Sequence, residues 1–174
     1  MSSVGPILFL DLATTTGWCE GAPGEKPVSG RLRLCRSGGD DAEAFGTLMR
    51  WLGDKLIATR YERVVYEAPV GPGMDRSGLT NWKTKRRLIG LCAVVDAAAH
   101  LTSHPVFEAS AITIRKHVLG TGRPVDPKKA VMAAMRLEGF DPADDNEADA
   151  IAGWIYATSI TERQSMPLLR NAAR

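Results

Sequence analysis

The chain has 174 residues, 44% of them hydrophobic and 24% charged, with 22 Lys+Arg against 20 Asp+Glu and a net charge of +2. That is one domain's worth of sequence, with enough apolar material for a buried core, and it excludes a histone-like or tail-like polycation. The longest apolar stretch, Leu88 to Leu101, is short and interrupted by Asp96, so no membrane span is expected.

The N-terminus has no basic segment followed by an apolar one, so no signal peptide is expected either. Cys19, Cys35 and Cys92 are odd in number and lack metal-ligand spacing, which fits reduced thiols in a cytoplasm. The small net charge hides an asymmetry. Residues 1–75 carry −2, residues 76–136 carry +8, residues 137–149 carry −6 and residues 150–174 carry +2. A basic middle followed by a dense acidic segment suggests one part that holds a polyanion and another that holds cations. On charge alone, solvated helix faces are the ordinary explanation.

In chain order, Ile7-Leu8-Phe9-Leu10 reads as a buried strand ending at Asp11. Thr14-Thr15-Thr16-Gly17-Trp18 is a turn entering a second strand. From Val28 to Leu34 the residues alternate, with Arg31 and Arg33 on one face of a half-exposed third strand. Asp40-Asp41 caps a helix whose apolar positions run from Ala44 to Ile57. Val64-Val65-Tyr66 forms a fourth strand ending at Glu67, and Pro69 to Gly78 is a Gly/Pro loop. A helix is expected from Leu79 to about Leu101, with Lys83, Lys85, Arg86 and Arg87 in its first half. Pro105 to Ala109 reads as a short strand, Ile112 to Leu119 and Pro127 to Leu137 as helices, and a last helix runs from Asp144 or Asp145 to about Ile160. The pattern β-β-β-α-β-α-β-α with extra helices predicts an α/β fold with a mixed sheet.

Three acids stand in apolar contexts. Asp11 and Glu67 close two strands, and Asp149 lies among small apolar residues on the last helix. If the two strands are neighbours, Asp11 and Glu67 lie side by side at one end of the sheet. Asp145 precedes Asp149 by four residues and shares its helix face. Four converging carboxylates without evident Lys or Arg partners repel one another, and a divalent cation resolves that repulsion. Oxygen-only ligands favour Mg²⁺ or Mn²⁺ over zinc, and two such ions can clamp the attacking water and leaving oxygen of a phosphodiester. Taken singly, a carboxylate reads as a helix cap or a surface charge. For Asp145, near a helix start, that ordinary reading and the metal-binding one are about even, whereas for Asp11 and Glu67 together the ordinary one is weaker, because both end apolar strands.

Other candidates carry less. His100 and His104 are four apart, but Pro105 breaks the helix and no third ligand is near. Gly120-x-Gly122-Arg123 is too short for a dinucleotide fingerprint, and no phosphate-binding G-x-x-x-x-G-K-[ST] loop exists. Trp18, Trp51 and Trp154 are core candidates, whereas Trp82, beside Lys83, is the candidate for base stacking.

With these residues in place the chain resembles the RuvC-type Holliday-junction resolvases of the RNase H-like nuclease superfamily. Four segments carry the resemblance: Leu8-Phe9-Leu10-Asp11 with Ala13-Thr14-Thr15-Thr16-Gly17-Trp18; Val64-Val65-Tyr66-Glu67; Ile114-Arg115-Lys116-His117-Val118-Leu119-Gly120-Thr121-Gly122 with Lys128-Lys129-Ala130-Val131; and Asp145-Asn146-Glu147-Ala148-Asp149-Ala150-Ile151-Ala152. Together they span Ile7 to about Tyr156. The third segment, with a basic residue, a G-x-G turn and a helix-start lysine, is typical of RuvC-type resolvases rather than of the superfamily at large.

The resemblance implies an RNase H-like mixed five-stranded sheet flanked by helices over residues 1–160, followed by a C-terminal tail over 161–174. It implies a homodimeric, Mg²⁺-dependent endonuclease that nicks branched DNA symmetrically, with Mn²⁺ able to substitute. Asp11, Glu67 and Asp149 match the family's metal-binding acids, and Arg115 and Lys128 its basic residues near the scissile phosphate. Lys83, Lys85, Arg86, Lys116 and Arg123 are assigned, with Arg115, to DNA backbone binding. Three positions depart from the family. Asn146 stands where an Asp or His is usual, so either Asn146 or Asp145 completes the metal site, and Asp145 is the expectation. Val70-Gly71-Pro72-Gly73-Met74 lacks the aromatic that can wedge into a junction. Asp11-Leu12-Ala13-Thr14 lacks the Pro-Gly of bacterial housekeeping members and looks more like phage and prophage members. The alternatives are a nuclease of this fold acting on flaps, forks or RNA–DNA hybrids, and a non-catalytic nucleic-acid-binding protein. A sugar-kinase-like ATPase, suggested by Asp11-x-Ala-Thr-Thr-Thr-Gly, needs two domains, and this chain is too short for them.

Overall fold

The unbroken apolar run Ile7-Leu8-Phe9-Leu10 is completely buried because its strand is central and covered on both faces. The structure is a computed structural model that describes residues 4–69 and 82–165, with side chains to Thr161. Its strands are β1 (Ile7–Asp11), β2 (Thr15–Gly21), β3 (Val28–Arg33), β4 (Arg63–Glu67) and β5 (Val106–Ala109). They form one sheet in the order β3-β2-β1-β4-β5, antiparallel from β3 to β1 and parallel from β1 to β5. This is the expected mixed five-stranded α/β sheet.

The helices are α1 (Asp41–Ala58), α2 (Trp82–Leu101), α3 (Ala111–Leu119), α4 (Pro127–Leu137) and α5 (Asp145–Ser165). Strand alternation divides the core in two. Leu8, Leu10, Val64 and Tyr66 face α1 and α2, packing on Leu48, Leu52, Leu91 and Val95. Ile7, Phe9, Cys19 and Val65 face the other way, onto Ile114, Val131, Met135 and Ile151 of α3, α4 and α5.

The caps agree with the sequence. Asp40 accepts from the Glu43 N–H at 2.8 Å, Ser110 from Thr113 at 3.2 Å, Asp126 from Lys129 at 3.2 Å and Asp144 from Glu147 at 3.0 Å. Gly120 ends α3 at φ 72°, a conformation that favours glycine. The expected helical stripe of α1 is confirmed at Ala44, Leu48, Leu52 and Leu56, while Ile57 turns to solvent.

One boundary differs from expectation. Helix α5 runs on to Ser165, so residues 161–165 of the expected tail are helical. The remainder of that tail lies outside the described residues, as do the loop 70–74 and the expected helix start at Leu79. Trp18 and Trp51 pack against each other with ring centroids 5.8 Å apart, and the Lys55 ammonium stands 4.3 Å from the Trp18 ring. The buried Trp154 donates its indole N–H to the Gly21 carbonyl at 3.2 Å. Trp82, by contrast, is 72% exposed. All three cysteines are buried free thiols, and His104 is a buried ring bonded to Thr102 and Thr59 rather than a metal ligand.

Candidate active site

Register brings the first two acids together. Leu10 pairs with Tyr66 in the parallel β1–β4 ladder, so Asp11 and Glu67 are the next residues on adjacent strands. By alternation both face α5, on the side of Phe9 and Val65. They line one small cleft of about 90 Å³, walled by Leu12, Pro69, Leu88 and Cys92. Helix α5 packs on β1 and β2 and carries Asp149 and Asp145, one turn apart, near enough for both charges to act on Asp11. Its close approach depends on Gly17, the β2 partner of Asp11. A Cβ at Gly17 would stand 2.6 Å from the Asn146 carbonyl carbon, and closer still to the oxygen. Gly17 appears in the sequence motif, but nothing local marks it as the seat of α5.

The electrostatics reflect crowding. Burial, then the Glu67 and Asp149 charges, then Asp145, push the Asp11 carboxyl well above its ordinary range, while Lys128 draws it down. Burial and the Asp149 charge lift Glu67 to about 7, against the pull of Arg115. Burial also raises Asp149, with Arg115 and Lys128 opposing. Lys128, at the start of α4, donates to Asp145, and that bond with the Asp149 and Asp11 charges raises its own affinity for a proton.

This corrects one expectation. The carboxylates are not without basic partners, because Lys128 pairs with Asp145 and Arg115 acts on Glu67 and Asp149. The sequence could not show it, since α3 and α4 are folded against α5 only in three dimensions. Asn146 lies beside Asp144 and, after the Glu147 N–H and Arg31, helps hold that carboxyl below its ordinary range against the effect of burial. Of the two residues considered for the fourth position, Asp145 is the one electrostatically coupled to Asp11 and Asp149.

The remaining basic residues are dispersed. Lys83 and Lys85 sit in the first turn of α2, Lys83 exposed and Lys85 half-buried. Arg86 is committed to Asp41 at 2.6 Å, as is Arg87 at 2.8 Å, so neither is a free charge. Lys116 is exposed at the end of α3, and Arg123 is exposed in the turn leading to α4.

Among the described residues no three acidic, histidine or cysteine side chains stand close enough to form a finished metal cage. The donor chemistry nevertheless fits a hard divalent cation. The cluster holds oxygen donors only, partly buried, and each of Asp11, Glu67 and Asp149 is made harder to ionise, by burial first and by neighbouring carboxylates after it.

No family model matches the chain, and no curated protein matches it. Solved structures do. A Thermus thermophilus RuvC structure is 16% identical, covering 90% of this chain and 96% of its own, with a TM-score of 0.67. T. thermophilus RuvC in complex with a Holliday junction substrate is 14% identical, with coverages of 91% and 96% and a TM-score of 0.68. The yeast mitochondrial Holliday junction resolvase Ydc2 is 16% identical, with coverages of 93% and 83% and a TM-score of 0.56. The expected fold is therefore present: an RNase H-like α/β domain of the RuvC type, over nearly the whole chain.

Proposed function

We propose that this chain is a divalent-metal-dependent endonuclease that resolves four-way DNA junctions or related branched DNA. The observation that carries the reading is the set Asp11, Glu67 and Asp149, gathered from two adjacent strands and one crossing helix, with Lys128 and Arg115 beside it. The set stands in a fold shared with a RuvC bound to a Holliday junction.

Asp11, Glu67, Asp149 and Asp145 would hold Mg²⁺, or Mn²⁺ in its place. The metal would supply a water acidic enough to attack phosphorus and a clamp on the leaving oxygen. The chain's own groups do the rest. The walls of the cleft keep bulk water from the carboxylates. Lys128 and Arg115 offset the charge that grows on the non-bridging oxygens as the P–O3′ bond breaks, leaving a 3′-hydroxyl and a 5′-phosphate. Lys128 must leave Asp145 to reach the phosphate, so its ion pair holds it beside the reaction centre until substrate arrives. Lys83, Lys85, Lys116 and Arg123 hold the DNA backbone without reading its sequence, whereas Arg86 contributes less because Asp41 already holds it.

Paired nicks require two sites, hence a homodimer. Ile89, Ala93, Ala97 and Leu101 make an exposed apolar line along α2 for the second copy. Among the described residues no helix is long and apolar enough to cross a membrane. The buried free thiols support a reducing compartment such as the cytoplasm.

The test is cleavage of a labelled four-way junction beside a linear duplex of the same sequence, with Mg²⁺ and with EDTA. Paired nicks confined to the junction and lost in EDTA are expected. Equal cleavage of both substrates would remove junction selectivity. Binding without cleavage in either metal would replace the enzyme with a binding protein.

A further inference from the structure

A polar trough runs beside the carboxylates on the β3 side, and the proposed mechanism gives no role to its β3 arginines or to Ser37. Its larger part, about 560 Å³, is lined by Thr14, Thr15, Arg31, Arg33 and Ser37 together with Cys35. Its smaller part, about 130 Å³, shares Thr14 and continues past Gly38, Gly39, Lys83 and Thr84 to Arg87. Among the described residues no acidic side chain lines either part.

The sheet fixes where the trough lies. Asp11 pairs with Gly17, and Gly17 with Arg31, so Arg31 is two strands across from Asp11 on the same face. At about 4.8 Å per strand that is roughly 10 Å, the axial length of about three nucleotides of one strand. Arg33 pairs with Thr15 at the end of the sheet, and β3 is an edge strand on which Arg33 is exposed among the described residues. Arg31 shares its charge with Asp144 at 2.5 Å. Arg33 donates its Nε to the Cys35 carbonyl at 3.1 Å, and among the described residues it has no ion-pair partner. The turn opposite is held in place by Arg87, which bonds the Gly39 carbonyl at 2.6 Å and the Thr14 hydroxyl at 3.3 Å. The wall of the trough is therefore preorganised rather than dependent on a ligand.

We propose that this trough binds the phosphodiester backbone of the DNA strand entering or leaving the reaction centre on the β3 side. Arg33, Arg31 and Lys83 neutralise phosphates, and the Thr15 and Ser37 hydroxyls donate to phosphate oxygens. The assignment rests on the nuclease reading and extends it to Arg31, Arg33 and Ser37, which no motif marks. Guanidinium, ammonium, hydroxyls and a glycine turn, with Asp144 on Arg31 the one carboxylate bonded to the proposed ligands among the described residues, suit a polyanionic chain and do not read a base edge.

The experiment measures affinity for labelled four-way junctions of two unrelated sequences, in EDTA and across a salt series, for wild type, Arg33→Glu and Ser37→Glu. Ser37→Glu adds charge at an exposed turn residue without removing any bond seen here, so it guards against misfolding of the β3 variant. Both variants should bind about tenfold or more weakly, equally for both sequences, with unaltered melting temperatures. The Arg33 variant should also lower the log–log salt slope by about one. Wild-type affinity and slope in both variants would overturn the trough while leaving the nuclease reading intact, and so would a loss confined to one sequence. Absence of DNA binding by the wild-type chain would overturn both.

Discussion

Gly17→Ala tests whether the active site depends on the seating of α5. The added methyl would lie 2.6 Å from the Asn146 carbonyl carbon and 3.2 Å from the Ala150 Cβ. The obstacle is mainly backbone, so no rotamer change relieves it. Restoring contact of about 3.4 Å requires α5 to lift by about 1 Å, and overpacking of this kind costs about 1–3 kcal/mol. For a chain of this size that is a melting temperature lower by about 2–12 °C. The same movement carries Asp149 and Asp145 away from Asp11 and Glu67. A misplacement of about 1 Å commonly lowers a rate about 10²-fold, so the rate should fall further than the stability loss alone would make it. The assay is single-turnover junction cleavage in Mg²⁺ well below the melting temperature, paired with thermal unfolding. Gly53→Ala is the control, because its helical Cβ meets nothing within 4 Å and should stabilise by about 0.5–1 kcal/mol. Wild-type melting and wild-type rate in Gly17→Ala would refute the argument.

Asp11→Asn should abolish cleavage yet retain junction affinity, since the basic surface is untouched; loss of binding in a gel-shift assay would count against the assignment. Lys128→Ala should slow single-turnover cleavage by about 10²-fold with a small loss of affinity, and an unchanged rate would remove Lys128 from the site. Glu67, raised from 4.5 to about 7, favours the folded state when protonated. Its ionisation therefore weakens the metal-free fold fully above about pH 7 and not at all below about 4.5, with an upper bound near 3 kcal/mol. Melting in EDTA should rise as pH falls from 8 to 5, and added Mg²⁺ should stabilise more at pH 8 than at pH 6; a falling melting temperature over that interval would contradict this. Burial raises the Cys19 thiol and lifts Cys92 to about 11, so both should label slowly with a thiol reagent at pH 8 until the chain unfolds. Fast native labelling would show the core to be open.

Much of this was legible in one dimension because the signals are local. A strand buried on both faces must be apolar throughout, so Ile7–Leu10 and Val64–Tyr66 announce themselves, and an acid ending such a strand is conspicuous as Asp11 and Glu67 are. Capping is equally local, and Asp40 and Asp144 start their helices where short polar side chains should. The spacing of Asp145 and Asp149 puts both on one helical face whatever surrounds them.

What the sequence could not determine is who stands opposite whom. The Lys128–Asp145 pair joins α4 to α5, and the pull of Arg115 on Glu67 joins α3 to the end of β4, so only the packing of the helices on the sheet and on one another creates them. Arg86 reads as a free DNA-facing charge until α2 packs on α1 and Asp41 takes it. Gly17 reads as a strand glycine until α5 is laid over it, and Arg31 and Arg33 read as solvated polar positions until β3 becomes the edge beside the carboxylates. Sequence patterning determines the face each side chain takes within its own element. Distances between elements follow from how their surfaces fit, and the charge pairing, the raised acids and the open trough exist only at that level.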